Sequence, residues 1–205
     1  MKLSSKILVI STLALGVIPS VFAAISITPS QAPGTFDHAI KLELTSSDPA
    51  AKVFYSFNPD GGPNDALAYT GPILLKSSTS LVYFGFVSLD NESKVLIDDY
   101  IFDYPVLSFT GYTQVNWWIS SPKIYNPTDK DLDISYWEIH AQDFAYIIPE
   151  NTILKSKETF TLPDIPLNNA QAALLQSPDG DIKDIIVAEN KIAEALPPVQ
   201  KPAKK

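Results

Sequence analysis

Apolar and polar residues alternate along short segments throughout residues 25–187, and no segment there has a helical period. Ile40, Leu42 and Leu44 show this alternation, which is the pattern of a strand with one buried face. The chain also contains 17 prolines and 8 glycines, which punctuate the segments with turns. The sequence therefore predicts an all-β fold with many short strands packed as sandwiches.

Several segments predict individual strands. Residues 53–57 and 94–102 each indicate a strand, and the aromatic and β-branched segment 80–88 indicates a central one. Asp179 and Gly180, between two apolar segments, predict a hairpin. The alternation over residues 115–119 predicts one further strand in the second half.

The first 23 residues have the three parts of a secretory signal peptide. Lys2 and Lys6 give a positive start, residues 7–18 are apolar, and compact residues precede a cleavage point after Ala23. The apolar segment is shorter than the ~20 residues of a membrane span, although an uncleaved anchor is the alternative. We expect a mature chain that begins at Ala24 and is secreted, extracellular, periplasmic or associated with the cell surface.

The composition of the chain limits the kinds of partner and of site that it can have. The formal charge is −8 at pH 7, and all 15 basic residues are lysines. An acidic surface without arginine disfavours nucleic acid, because phosphate recognition depends on basic side chains. The chain has no cysteine, which excludes disulfides, thiolate metal sites and cysteine nucleophiles. The fold must therefore depend on its apolar cores.

Five segments of the first half carry a resemblance to a known family: residues 33–36 (PGTF), 40–45 (IKLELT), 51–56 (AKVFYS), 58–61 (NPDG) and 69–73 (YTGPI). In this order they resemble the chitobiase/β-hexosaminidase C-terminal-type Ig-like domain. That domain is a non-catalytic accessory module. The resemblance implies an immunoglobulin-like sandwich with a supporting role, and it does not imply chitin chemistry.

Tyr104 and Pro105 mark the predicted boundary, because proline restricts its neighbour and cannot donate to a sheet.

Four later blocks carry a second resemblance: residues 124–127 (IYNP), 132–137 (LDISYW), 148–154 (IPENTIL) and 175–182 (LQSPDGDI). In this order they resemble the lamin-tail domain, another Ig-like sandwich. In bacteria such domains occur in secreted and surface proteins as interaction modules. The resemblance makes Trp137 a core residue, while Tyr136 and Asn151 stand where the family has glycines.

The predicted organisation therefore has four parts. A signal peptide (residues 1–23) precedes a chitobiase C-terminal-like Ig-like domain (residues 24–104). A lamin-tail-like Ig-like domain follows (residues 105–187), and a proline- and lysine-rich tail (residues 188–205) is predicted to be disordered. The mature fold is thus expected to be two tandem immunoglobulin-like β-sandwich domains.

The sequence offers few candidates for catalysis. His38 and His140 fall in different predicted domains, and Asp98 and Asp99 should point to opposite faces of one strand. No nucleophile-elbow, zinc-protease or phosphate-loop motif is present in the sequence. We therefore predict no catalytic residue, no cofactor and no enzyme activity.

Asn58, Asp60 and Asn64 occupy alternate positions of one turn, a spacing that loosely follows the oxygen ligands of a calcium loop. Tyr69 stands where the closing glutamate of such a loop would be. Turn formation alone accounts for these residue types, so no metal site is predicted.

Three aromatic residues are candidate ligand contacts: Trp117, Trp118 and Tyr69. Trp117 and Trp118 are neighbours on a predicted strand, so one should face the core and the other should not. An outward tryptophan could stack on a sugar or on a partner protein, or pack beneath a loop. Tyr69 has a structural role in the resembled family.

The leading prediction is a secreted or cell-envelope, non-catalytic structural or interaction protein whose two sandwiches bind a protein partner. The alternative is a carbohydrate-binding accessory module of the extracellular space or envelope, with a cell-envelope glycan as partner. No nucleic acid partner and no transmembrane segment after signal cleavage are predicted. An exposed row of aromatic residues would favour sugar, whereas an apolar patch or a free edge strand would favour protein.

Overall fold

The computed structural model describes residues 24–61, 63–88, 91–115, 118–167 and 172–188. The predicted signal peptide, Trp117 and residues 189–205 of the predicted tail lie outside the described residues. Within them the chain is almost entirely β, with a single 3₁₀ turn at Pro63–Asp65 and no α-helix. The all-β prediction is therefore confirmed. No helix in this described part is both long and apolar enough to cross a membrane.

Strands β1 to β10 precede Tyr104. The main sheet has the order β2-β10-β8-β5-β6, with β9 paired to β8. Strands β2 and β10 are parallel, and the other neighbours are antiparallel. Two short antiparallel pairs, β1 with β4 and β3 with β7, lie apart from this sheet. The strands are β1 Ile27–Pro29, β2 Gly34–Phe36, β3 Ile40–Leu42, β4 Leu44–Ser46, β5 Lys52–Ser56, β6 Leu67–Ala68, β7 Ile73–Leu75, β8 Thr79–Ser88, β9 Asn91–Glu92 and β10 Leu96–Phe102.

The longest of these strands, β8, runs through the middle of the main sheet, as its aromatic sequence predicts. Gly85 of β8 faces the short β1 strand, and a Cβ atom there would lie 2.8 Å from Cδ1 of Ile27. The glycine thus allows β1 to pack closely on the sheet. The segment 40–45, which has one continuous alternation, is instead divided between β3 and β4, whose partners differ.

Strands β11 to β20 follow Pro105. One sheet has the order β11-β12-β17, with β18 also on β12, and the other has the order β15-β14-β19-β20. Strands β13 and β16 form a short antiparallel pair. The strands are β11 Ser108–Val115, β12 Trp118–Tyr125, β13 Leu132–Asp133, β14 Glu138–Ala141, β15 Phe144–Ile147, β16 Ile153–Leu154, β17 Thr159–Thr161, β18 Ile165–Pro166, β19 Ala172–Gln176 and β20 Ile182–Val187.

Two predictions in the second half have opposite outcomes. The hairpin at Asp179 and Gly180 is confirmed: β19 and β20 pair across it, and Gly180 has φ +94°. The single strand predicted over residues 115–119 is wrong, because β11 ends at Val115 and β12 begins at Trp118, its antiparallel partner. The alternation continues across this reversal and therefore concealed it.

Every described strand pair joins two strands on the same side of Tyr104 and Pro105. The buried side chains nevertheless form one continuous apolar cluster, which includes Tyr104 and Leu107. Tyr104 also meets Trp137 edge to face, with ring centroids 6.3 Å apart. The predicted joint between the two halves is thus itself part of the core.

Trp137 is fully buried and is among the largest fully buried side chains, as the sequence predicts. The turn before it, between β13 and β14, contains Tyr136 in the left-handed region with φ +65°. Asn151, which precedes β16, has φ +63°. Both positions where the lamin-tail pattern has glycine therefore have a backbone that favours glycine. Ile134 and Trp137 are both buried, although residues three positions apart on one strand would point to opposite faces. The turn at Tyr136 ends one strand before the next begins and so allows both side chains to face the core.

Because the backbone at Tyr136 is left-handed, glycine should be more stable than alanine at this position, the reverse of the usual order. A left-handed conformation costs a residue with a Cβ about 1–2 kcal/mol, and glycine costs about 0.5–1 kcal/mol in backbone entropy. Tyr136→Gly should therefore be more stable than Tyr136→Ala, by up to about 1 kcal/mol, since both lose the phenol. Urea denaturation measures the difference. Thr113, an exposed position of β11, is the control site. There Thr113→Ala should be more stable than Thr113→Gly, because glycine has only its entropy cost in a strand. If alanine were the more stable variant at both sites, Tyr136 would not have the left-handed backbone.

Candidate functional site

The main sheet of the first half has apolar side chains on both faces. Leu81 and Tyr83 of β8 belong to the core cluster, as the inward-facing residues. Val82, Phe84 and Phe86 alternate with them, point to the opposite face and are not part of that cluster. The β8 sequence therefore supplies one apolar row to the core and a second row to the outside.

Neighbouring strands extend this second row into a patch. In the strand register, Phe84 lies beside Phe54, which lies beside Ala68, and Val82 lies beside Ile97. The rings of Phe54 and Phe84 stack with centroids 5.5 Å apart and planes 18° from parallel. We call this patch the outer apolar face; it consists of Phe54, Ala68, Val82, Phe84, Phe86 and Ile97.

The outer apolar face is open to solvent in the described structure. Ile97 is 55% exposed and Ala68 is exposed, while the three phenylalanines are partly exposed. Val82, in the middle, is buried. Antiparallel sheets usually have one apolar face towards the core and one polar face towards water. A contiguous exposed apolar patch of this kind is typical of an interaction surface.

Two charged residues lie at opposite ends of the outer apolar face. Lys52 of β5 is beside Phe86, and Asp99 of β10 is beside Ser80. The Ser80 hydroxyl donates to Asp99 Oδ1 at 2.6 Å. Neither Lys52 nor Asp99 has an ion-pair partner among the described residues. Lys52 and Asp99 thus place charges of opposite sign, neither of them in an ion pair, at two ends of the patch.

Ion pairs cross the joint between the two halves. Lys41 lies 2.5 Å from Glu150, Lys76 lies 3.2 Å from Glu138, and Lys130 pairs with Asp37. The lysines come from both halves, since Lys41 and Lys76 precede Tyr104 whereas Lys130 follows it. These contacts add directional polar links to the apolar packing around Tyr104.

The pKa values of the bridging carboxyls follow from these contacts. The hydrogen bond from Lys130, assisted by His38, lowers the pKa of Asp37. The hydrogen bond from Lys41 likewise lowers the pKa of Glu150.

Glu138 is subject to opposing influences, because its burial raises the pKa while hydrogen bonds to His140 and Lys76 lower it. The net effect is a pKa below the ordinary value. These groups are therefore carboxylates at neutral pH, as the ion pairs across the joint require.

A cleft of about 570 Å³ lies beside these ion pairs at the joint. Its walls include Phe36, Asp37, Asp103, Val106 and Lys130. A smaller cavity of about 180 Å³ shares the His38 wall with it. Asp37 and Lys130 are paired with each other across the joint between the halves. Their charges therefore bind each other rather than a ligand in the cleft.

The structure does not bring the predicted contact residues together. Trp118 begins β12 in the second half, is 47% exposed and lies beside Val115 and Pro166. Tyr69 follows β6 in the first half and packs against the core cluster. Trp117 lies outside the described residues. Of the two that the structure describes, Trp118 therefore has the accessible side chain, and Tyr69 has a structural position.

The acidic candidates are engaged in separate contacts. Asp98 accepts a hydrogen bond from the Tyr83 hydroxyl at 2.6 Å, while Asp99 accepts one from Ser80. These two acids are strand neighbours, so their side chains lie on opposite faces of β10. The histidines each contact a neighbouring acid, at 2.8 Å in both cases.

The turn that loosely resembles a calcium loop is held by hydrogen bonds to the side chain and the backbone carbonyl of Asn58. Asn58 accepts a hydrogen bond from the Asp60 amide at 3.2 Å, and Gly61 N–H donates to the Asn58 carbonyl at 3.0 Å. No group of three or more potential histidine, aspartate or glutamate ligands occurs among the described residues. The contacts of this turn are those of a tight reversal.

The outer apolar face was missed from sequence, although β8 contained a signal for it. Residues 81–86 (LVYFGF) are apolar at both parities, which indicates a strand with apolar side chains on two faces. The same feature also indicates a central strand, which is how the sequence alone accounts for it. The position of Phe54 beside Phe84 depends on the register of β5 and β8, which the sequence does not specify.

Comparisons with known proteins do not extend these assignments. No protein-family model matches the chain, and a search of curated proteins finds no match to it. The resemblances to the chitobiase C-terminal-type and lamin-tail domains therefore stay predictions that depend on the quoted motifs.

Proposed function

We propose that the chain is a secreted or cell-envelope, non-catalytic interaction protein that binds a protein partner. The observation that carries this proposal is the outer apolar face, a partly exposed apolar surface on a sheet whose other face already covers the core. Phe54 and Phe84 stack on each other and are only partly exposed, so they do not form an exposed aromatic row, and phenylalanine has no hydrogen-bonding group to match the hydroxyls of a sugar. Their natural counterpart is an apolar surface of another protein.

The proposal includes two tandem immunoglobulin-like sandwiches, residues 24–104 and 105–187. Strand pairing that stays within each half supports this division. The left-handed backbone at Tyr136 and Asn151 supports the lamin-tail-like assignment of the second half, as does the burial of Trp137. In this arrangement the ion pairs at the joint fix the orientation of the first sandwich relative to the second.

The proposal of binding without turnover is supported by the contacts of the acidic residues. Asp98 and Asp99 bond to different hydroxyls and cannot face each other across a substrate. The purified mature chain should leave chitin oligomers and nucleic acid intact. Turnover that copurifies with the chain and is lost on changing Asp98 or Asp99 would reject this part of the proposal.

Substitution within the outer apolar face tests the proposed function. We expect cross-linking on producing cells, followed by mass spectrometry, to join a protein to the wild-type chain. Phe84→Ser should lose that product because it places a hydroxyl in the middle of the patch. Ile182→Ser is the matched control, since Ile182 is 53% exposed on the second half. A product that survives Phe84→Ser unchanged would show that binding does not use this face.

Carbohydrate binding is the second candidate, and the exposure of Trp118 favours it. An indole that is 47% exposed beside Val115 and Pro166 can stack on a sugar ring. Titration with envelope oligosaccharides should then change tryptophan fluorescence in the wild-type chain and not in Trp118→Ala. Equal responses from the two chains would exclude this use of Trp118.

A further inference from the structure

We propose that the partner on the outer apolar face is a second copy of this chain, packed face to face about a twofold axis. This inference rests on the proposed function and names the partner. A symmetric pair requires a patch that is complementary to itself. The outer apolar face meets this requirement in both its shape and its charges.

The shape is that of a broad apolar sheet surface. Phe54 and Phe84 stack on adjacent strands, with Val82, Phe86 and Ile97 around them. Two sheet faces that pack on each other lie about 10 Å apart, with side chains interdigitated between them. Packing two copies of this patch together would remove the phenylalanine rings from water and place them against apolar atoms, which is favourable.

The charges lie where a twofold pair needs them. Phe86 and Ser80 are six positions apart on β8, which corresponds to roughly 20 Å along the strand. Lys52 lies beside Phe86 on one side of β8, and Asp99 lies beside Ser80 on the other side. Glu92 of β9 is also in register with Phe86, on the side of β8 away from Lys52. Lys52 and Asp99 are therefore at diagonal corners, with the apolar residues between them.

A twofold axis between the two sheets can place Lys52 of each copy opposite Asp99 of the other. Both charges then gain a partner that they lack within the described chain. The chain as a whole carries a formal charge of −8, which repels a second copy in every orientation, and the two Lys52–Asp99 contacts offset part of that repulsion in this one. The diagonal pair thus selects one orientation for the apolar contact.

Analytical ultracentrifugation of the mature chain, residues 24–205, with charge-swap variants tests the inference. The wild-type chain should form a dimer, and Phe84→Ser should be monomeric. Lys52→Glu and Asp99→Lys should each weaken dimerisation by at least about tenfold, because each puts like charges together twice. The double variant with both changes should recover the dimer. Ser80→Ala is the control for the loss of the Asp99 hydrogen bond and should remain dimeric.

Each other outcome has a definite meaning. A wild-type chain that stays monomeric at the highest attainable concentration would overturn the inference. So would a dimer that is insensitive to Phe84→Ser, or charge swaps whose effects simply add in the double variant. If the chain is monomeric but cross-links to a different protein in a manner that requires Phe84, the proposed function survives and only the self-association fails. Circular dichroism of every variant separates these results from unfolding.

Discussion

Replacing Trp137 with alanine is expected to lower the free energy of unfolding by about 3–5 kcal/mol, as for other deleted core aromatics. The side chain is fully buried and meets Tyr104 edge to face at the joint between the halves. Alanine would leave a cavity that both halves line. Urea denaturation followed by circular dichroism measures the loss, and a change below about 1 kcal/mol would contradict the core assignment.

Trp137→Phe is the informative control. The indole Nε1 of Trp137 is buried and has no hydrogen-bond partner among the described residues. An unpaired buried donor costs about 1–3 kcal/mol, and phenylalanine removes that donor while it keeps an aromatic ring. We therefore expect Trp137→Phe to recover most of the stability lost in alanine. Equal losses in both variants would show that the indole makes a polar contact that its geometry does not reveal.

Asn126→Ala is the second substitution with a large expected effect. The Asn126 side chain is fully buried, and its Nδ2 donates to the carbonyls of Lys130, Leu154 and Lys155 at 2.8–3.1 Å. Alanine would remove the donor from all three carbonyls, and stranded buried acceptors are costly. We expect a loss of about 2–4 kcal/mol in the free energy of unfolding, measured in urea.

Two further variants separate the contributions of the Asn126 amide. Asn126→Asp keeps the side-chain shape but puts a second oxygen against the three carbonyls, so it should be at least as destabilising as alanine at neutral pH. Thr128→Val removes a hydroxyl that donates to Asn126 Oδ1 at 2.6 Å in a less buried position, and should cost about 1 kcal/mol. If Asn126→Asp were as stable as wild type, the amide would not be the donor described.

Local sequence signals predicted the parts of the fold that depend on neighbouring residues. The β19–β20 hairpin follows from Asp179 and Gly180, because a glycine can take the left-handed backbone that the reversal needs. The division at Glu43 could not be predicted in this way. The same alternation serves β3 and β4 equally well, and only their partners, β7 and β1, distinguish two strands from one.

The candidate site shows the same limit. Trp118 was identified from its type and parity, both of which are local properties. The outer apolar face requires the register of three strands, and the diagonal of Lys52 and Asp99 requires the positions of β5 and β10 on either side of β8. Asn126 belongs to the IYNP block, but its role depends on carbonyls about 30 residues later in the chain.

The parallel pairing of β2 with β10 has a consequence for tension on the protein. These strands lie near the two ends of the first half, and Gly34, Thr35 and Phe36 are in register with Tyr100, Ile101 and Phe102. A pull that draws those ends apart slides one strand along the other, so the hydrogen bonds between them must break together. Antiparallel end strands would instead open one bond at a time. The first half is thus suited to resist stretching along the chain, a property governed by the rate of forced unfolding.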